Sequence, residues 1–74
     1  MFKVATYGSN SGGQIVSNYN CSEHQHEEDA AEAVTISIQR LENNGYKYIK
    51  YSKDFNSHIM ENEGDTRLVS YWEE

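Results

Sequence analysis

Three side chains with ligand chemistry crowd one stretch of this sequence: Cys21, His24 and His26, with Glu23, Glu27 and Glu28 beside them. Thiolate and imidazole are good zinc donors, and ligands close in sequence chelate with little loss of chain entropy. The same stretch reads as a helix entry. Ser22 has N-cap chemistry, and Gln25 lies three residues on, the reciprocal capping-box spacing. A helix starting at Ser22 turns about 100° per residue, so His24 and His26 point about 200° apart and cannot share one ion. No second Cys/His pair completes a tetrahedral set. The expectation is no metal and no cofactor, and a polar, solvated helix start.

Other chemistry is thinner. The glycine-rich loop over residues 8–13 follows a strand pattern, and its amides could in principle wrap an anion. Phosphate loops run into a helix N-terminus and carry Lys-Ser or Lys-Thr, whereas this loop runs into another strand pattern with Gln14. A hairpin loop is the expectation. Cys21, several serines and three histidines supply nucleophiles and bases, but no nucleophile elbow or other signature surrounds them. Glu27, Glu28 and Asp29 read as a solvated helix start, not as an acid–base pair, so no catalytic residue is assigned and the chain is read as a non-enzyme. Lys47, Lys50 and Lys53 interleave with Tyr46, Tyr48 and Tyr51, a pattern that can stack and neutralise single-stranded nucleic acid. Strict alternation, however, groups Lys47 with Ile49 and Tyr51 and puts Lys50 with Tyr46 and Tyr48, splitting the lysines between faces. Direct nucleic-acid binding is therefore not expected.

The elements that carry these residues follow from periodicity. Residues 1–7 alternate, with Phe2, Val4 and Thr6 on one face, and residues 14–20 read as the returning strand. Ala30, Val34, Ile38 and Leu41 recur at helical spacing, which predicts a helix over about residues 29–43, with its start uncertain by several residues. Asn43-Asn44-Gly45 stops it. Residues 46–51 form a third strand, and 57–61 and 66–72 are short strand-like runs about an Asn62-Glu63-Gly64-Asp65 turn. The predicted fold is α+β: a mostly antiparallel sheet of four to five strands with one helix on one face, in the order β-β-α-β-β with a fifth strand if residues 57–61 extend.

Seventy-four residues are read as one domain, 1–74, whose small core leaves little room for a deep cleft. One cysteine allows no internal disulfide, and no apolar run marks a signal peptide or a membrane span, so a soluble, cytoplasmic protein is expected. Charge is the strongest bulk signal. Twelve acids face six basic residues, a net −6, which suits a basic partner and disfavours a phosphate backbone. Residues 1–22 hold only Lys3, whereas 23–32 hold five acids.

Two further features suggest protein contact. Ile36 lies roughly 155° from the centre of the apolar stripe and should be exposed. Six tyrosines and Trp72 exceed what a half-covered sheet can bury, and Tyr and Trp are common interface anchors. The candidate partner-binding residues are Glu27, Glu28, Asp29, Glu32, Ile36, Tyr48 and Tyr51. In size, acidity and lack of proline the chain resembles phage and mobile-element inhibitors of host defence nucleases, anti-CRISPR proteins among them. That resemblance implies an inhibitor or adaptor that engages a basic protein, in which the helix acids stand in for phosphates. The alternative is a self-associating module that sequesters a small ligand or serves as a regulatory subunit.

Overall fold

The helix ends as the Asn-Asn-Gly signal requires. In the computed structural model, which describes residues 1–9 and 15–74 and gives only the backbone at 9 and 15–20, helix α1 spans Glu27–Asn43. Gly45 takes φ +91°. The Tyr46 amide donates to the Leu41 carbonyl at 3.0 Å, and the Gly45 amide to the Glu42 carbonyl at 3.1 Å. This is the Schellman pattern, and its hydrophobic contact is present because Tyr46 packs on the core that contains Leu41.

Five strands complete the order β-β-α-β-β-β: β1 Phe2–Ser9, β2 Ile15–His24, β3 Lys47–Ser52, β4 Ser57–Asn62 and β5 Asp65–Glu73. Among the described residues they form one antiparallel sheet in the order β2-β1-β5-β4-β3, with α1 across one face. The α+β fold is as the periodicity predicts, and the run from Ser57 is a full strand. Asn62 pairs with Asp65, and Glu63 and Gly64 both have positive φ (48° and 86°), the two-residue hairpin turn that matches strand twist. Beyond Ser9, the loop expected over residues 8–13 lies outside the described residues.

The core lies between α1 and the central strands. Ala30, Val34 and Leu41 meet Val4, Met60 and Val69, with Phe2, Ala33, Ile38, Tyr46 and Tyr71 packed at the margin. Phe2 and Tyr71 stack at 5.9 Å with their planes 7° apart. At the opposite end the Tyr46 phenol hydrogen-bonds Asp65, whose carboxylate also holds Arg67 at 3.1 Å, and the Arg67 guanidinium sits 5.3 Å over the Tyr46 ring. These contacts tie the helix exit to the β4–β5 hairpin.

Two expectations need correction. Ser22 is not the helix cap: β2 continues through His24, where the Ser22 hydroxyl meets His24 Nε2 at 2.8 Å, and the helix begins after His26 with no side-chain cap. The strand's extra residues have edge pairing with β1 that outweighs a local capping preference, since Phe2↔His24, Lys3↔Glu23 and Val4↔Ser22 are all in register. The premise that a helix separates His24 from His26 therefore falls. Among the described residues no three His, Cys, Asp or Glu side chains gather as metal ligands.

The lysines, too, are not split between faces. The β3–β4 register shifts between Tyr48 and Lys50, so Tyr48 lies opposite Met60, Lys50 opposite Ile59 and Tyr51 opposite His58. A bulge at Ile49 moves every later residue to the other face. Lys47 and Lys50 thus share the face away from the helix, while Tyr46, Tyr48 and Tyr51 share the helix side. Lysines and a bulge on an edge strand are also devices that discourage strand addition there.

Candidate functional site

The register explains how charge is gathered. Residues 40–67 carry five basic and five acidic side chains and are neutral as a block; the remainder holds Lys3 against seven acids, which is the whole net −6. Those seven acids come from three distant segments. Phe2, at the start of β1, pairs with His24 at the end of β2 and with Glu73 at the end of β5, so Glu23, Glu73 and Glu74 meet at one end of the sheet. Helix α1 starts at the same end and adds Glu27, Glu28 and Asp29 in its first turn, with Glu32 one turn on. Lys3 lies 3.0 Å from Glu74 and 3.8 Å from Glu23, and the Glu74 hydrogen bond and charge raise its pKa.

The four helix acids are not equivalent. Glu27 lies close enough to the Tyr71 phenol to help raise its pKa, burial being the larger cause and Glu73 a further one. Glu28, Asp29 and Glu32 are exposed and form no ion pair among the described residues. Glu28 and Glu32 share one helix face, as do Asp29 and Glu32. A shallow hollow lined by His26, Glu27, Glu28 and Ala31 opens on this pole.

The remaining candidates lie elsewhere. Ile36 is 39% exposed, as its helical angle predicts, while neighbouring Ala33 is partly buried against the core. Tyr48 and Tyr51 are 45% and 47% exposed. Both embrace His58: the Tyr48 hydroxyl is 2.9 Å from Nδ1, and the Tyr51 ring meets the imidazole edge-on at 5.1 Å. Strand β3 is the far edge of the sheet from β2, so these tyrosines are remote from the acidic residues with which they were grouped. Sequence reasoning left Glu23, Glu73 and Glu74 out of the candidate set, and the only signal available was the run of acids over residues 23–32 together with the Glu73-Glu74 pair.

Burial holds the His58 imidazole below its ordinary 6.5. The folded state therefore disfavours the charged ring, and the unfolded chain binds the proton more readily. Stability from this group is present above about 6.5 and lost as pH falls toward the lowered folded value. Protonation also places hydrogen on both ring nitrogens, so that Nδ1 can then only donate to the Tyr48 hydroxyl. The thermal midpoint should decline between pH 6.5 and 5, and His58→Phe should flatten that decline; an identical profile in the variant would exclude His58 as its source.

A second feature stands on the face away from the helix. Tyr7, Phe55, Asn56, Ser70 and Trp72 line a broad, open cleft of about 300 Å³. Phe55 is 49% exposed, yet its loop is clamped. Asn56, at φ +49°, donates to the Tyr71 carbonyl at 3.1 Å and accepts from the Tyr51 hydroxyl at 2.5 Å. Ser57 donates to the Phe55 carbonyl at 2.8 Å. Among the described residues no helix is long and apolar enough to cross a membrane. No protein-family model, curated protein or solved structure matches this chain.

Proposed function

We propose that this chain is a small non-enzymatic binding protein whose acidic pole engages a basic protein surface, as an inhibitor or adaptor that occupies a nucleic-acid site. One observation carries the reading: seven acidic side chains from three segments lie toward one end of the sheet, with Lys3 as the one basic side chain among those segments and β1, and with the Met1 ammonium beside Glu74. Helix-dipole physics accounts for acids in the first turn of α1. It does not account for Glu23, Glu73 and Glu74, which sit on strand ends, nor for Glu32. Like charges gathered this closely oppose folding, and their use lies in attracting an oppositely charged surface. Carboxylates spread over a helix turn and adjoining strand ends offer lysine and arginine what a run of phosphates offers them. The resemblance in size and charge to phage inhibitors of defence nucleases makes a nucleic-acid-binding host enzyme the first partner class.

The test is capture from nuclease-treated lysate on the immobilised chain. The expected result is a basic protein that is released by rising salt and displaced by a competing oligonucleotide. Capture that ignores both would defeat the proposal.

A further inference from the structure

We propose that the cleft between Tyr7, Phe55 and Trp72 receives an arginine side chain of the basic partner, an assignment that rests on the acidic-pole reading above and adds a second contact on the opposite face of the sheet. Three arguments converge. The first is continuity with the pole. Trp72 lies opposite Lys3 on β1, and its indole N–H donates to Glu74 at 3.3 Å. Glu74 also pairs with the Lys3 ammonium, which Glu23 shares, and lies beside the Met1 ammonium, so Trp72 joins the cleft to the charged groups at this end of the sheet.

The second argument is the polarity of the floor. Ser57 uses its one hydroxyl proton on the Phe55 carbonyl, so in the buried Ser57–Ser70 hydrogen bond Ser70 must be the donor. Ser70 therefore turns only lone pairs to the cleft, and the Trp72 N–H is likewise committed to Glu74. The free lone pairs of Ser70 suit a ligand rich in donors, and the guanidinium has five N–H groups and no acceptor.

The third argument is the walls. Three aromatic residues, Tyr7, Phe55 and Trp72, line the cleft, and arginine stacks on aromatic rings better than lysine does. The Asn56, Ser57 and Ser52 hydrogen bonds hold the Phe55 loop in place before any ligand arrives, which lowers the ordering cost of binding.

Trp72 is the only tryptophan, so its emission reports on this cleft alone. The intact chain is titrated at 0.15 M salt with capped hexa-arginine, capped hexa-lysine and a ten-residue oligothymidylate, and total binding is followed by calorimetry. Saturable Trp72 quenching by hexa-arginine is expected, with hexa-lysine roughly three- to fivefold weaker. Phe55→Ala should weaken the arginine response by a similar factor and erase the preference over lysine, and Ser70→Ala should weaken it independently. Equal responses to arginine and lysine, quenching by the oligonucleotide, or indifference to Phe55→Ala would each overturn the assignment. Binding of hexa-arginine that leaves Trp72 silent would overturn it while leaving the acidic-pole reading intact; no binding at all would overturn both.

Discussion

Replacing Met60 with alanine is expected to lower the unfolding free energy by about 3 kcal/mol and the thermal midpoint by roughly 12–24 °C. Met60 is fully buried on β4, facing the helix, in the cluster that contains Leu41, Val34 and Val69. The side chain leaves a hole that a sheet pinned on both sides cannot collapse, because β4 is paired to β3 and to β5 along its length. A chain of this length has on the order of 4–10 kcal/mol in total, so this loss is a large share of the whole. Met60→Leu, close in volume, should cost less than about 1.5 kcal/mol. Ile49→Ala, at an exposed bulge residue, should stay within about 0.5 kcal/mol. Chemical denaturation of the three variants checks the ranking, and equal midpoints for Met60→Ala and Ile49→Ala would refute the placement of the core.

That the largest fully buried side chain among the described residues lies in the strand hardest to read has a physical cause. Around Met60 the sequence runs Ser-His-Ile-Met-Glu, with Met60 inward toward the helix and Ile59 on the other face, so no clean alternation marks the strand. Ser57 and Ser70 are buried as a hydrogen-bonded pair, where a hydrophobic pattern would show nothing. Helix α1 was legible because Ala30, Val34, Ile38 and Leu41 repeat at one period and Gly45 marks the stop; its start was not, because Ser22 and Gln25 imitate a capping box inside a paired edge strand. The bulge at Ile49 coincides with a break in the pattern: Tyr48 and Ile49 follow one another between Lys47 and Lys50, and the extra residue there returns both lysines to one face, which strict alternation could not do. The acidic helix start could be read locally. Its joining with Glu23, Glu73 and Glu74 depends on strand register across some fifty residues, a long-range property of the sheet.

Reversing Glu28 and Glu32 to lysine is expected to weaken association with the basic partner about 100-fold at low salt, mainly through slower encounter. Each reversal removes two units of negative charge, so the pair takes the chain from −6 to −2. Both side chains are exposed and without an ion pair among the described residues, so no folded contact is broken. Glu27 would be a poor choice for this experiment, because its charge acts on the Tyr71 phenol, whose ring stacks on Phe2. Glu32→Lys alone is the cleaner control for folding: it places a cation four residues after Glu28, the favoured order on a helix, and should leave stability unchanged or raise it by a few tenths of a kcal/mol. Circular dichroism and thermal melts of this variant should match the parent while its affinity falls. Salt separates electrostatics from shape. With a Debye length of about 8 Å at 0.15 M and about 3 Å at 1 M, parent and double variant should converge as salt rises. An affinity gap that persists at 1 M salt would mean that Glu28 and Glu32 act by packing, and an unchanged affinity at low salt would remove the acidic pole from the binding surface altogether.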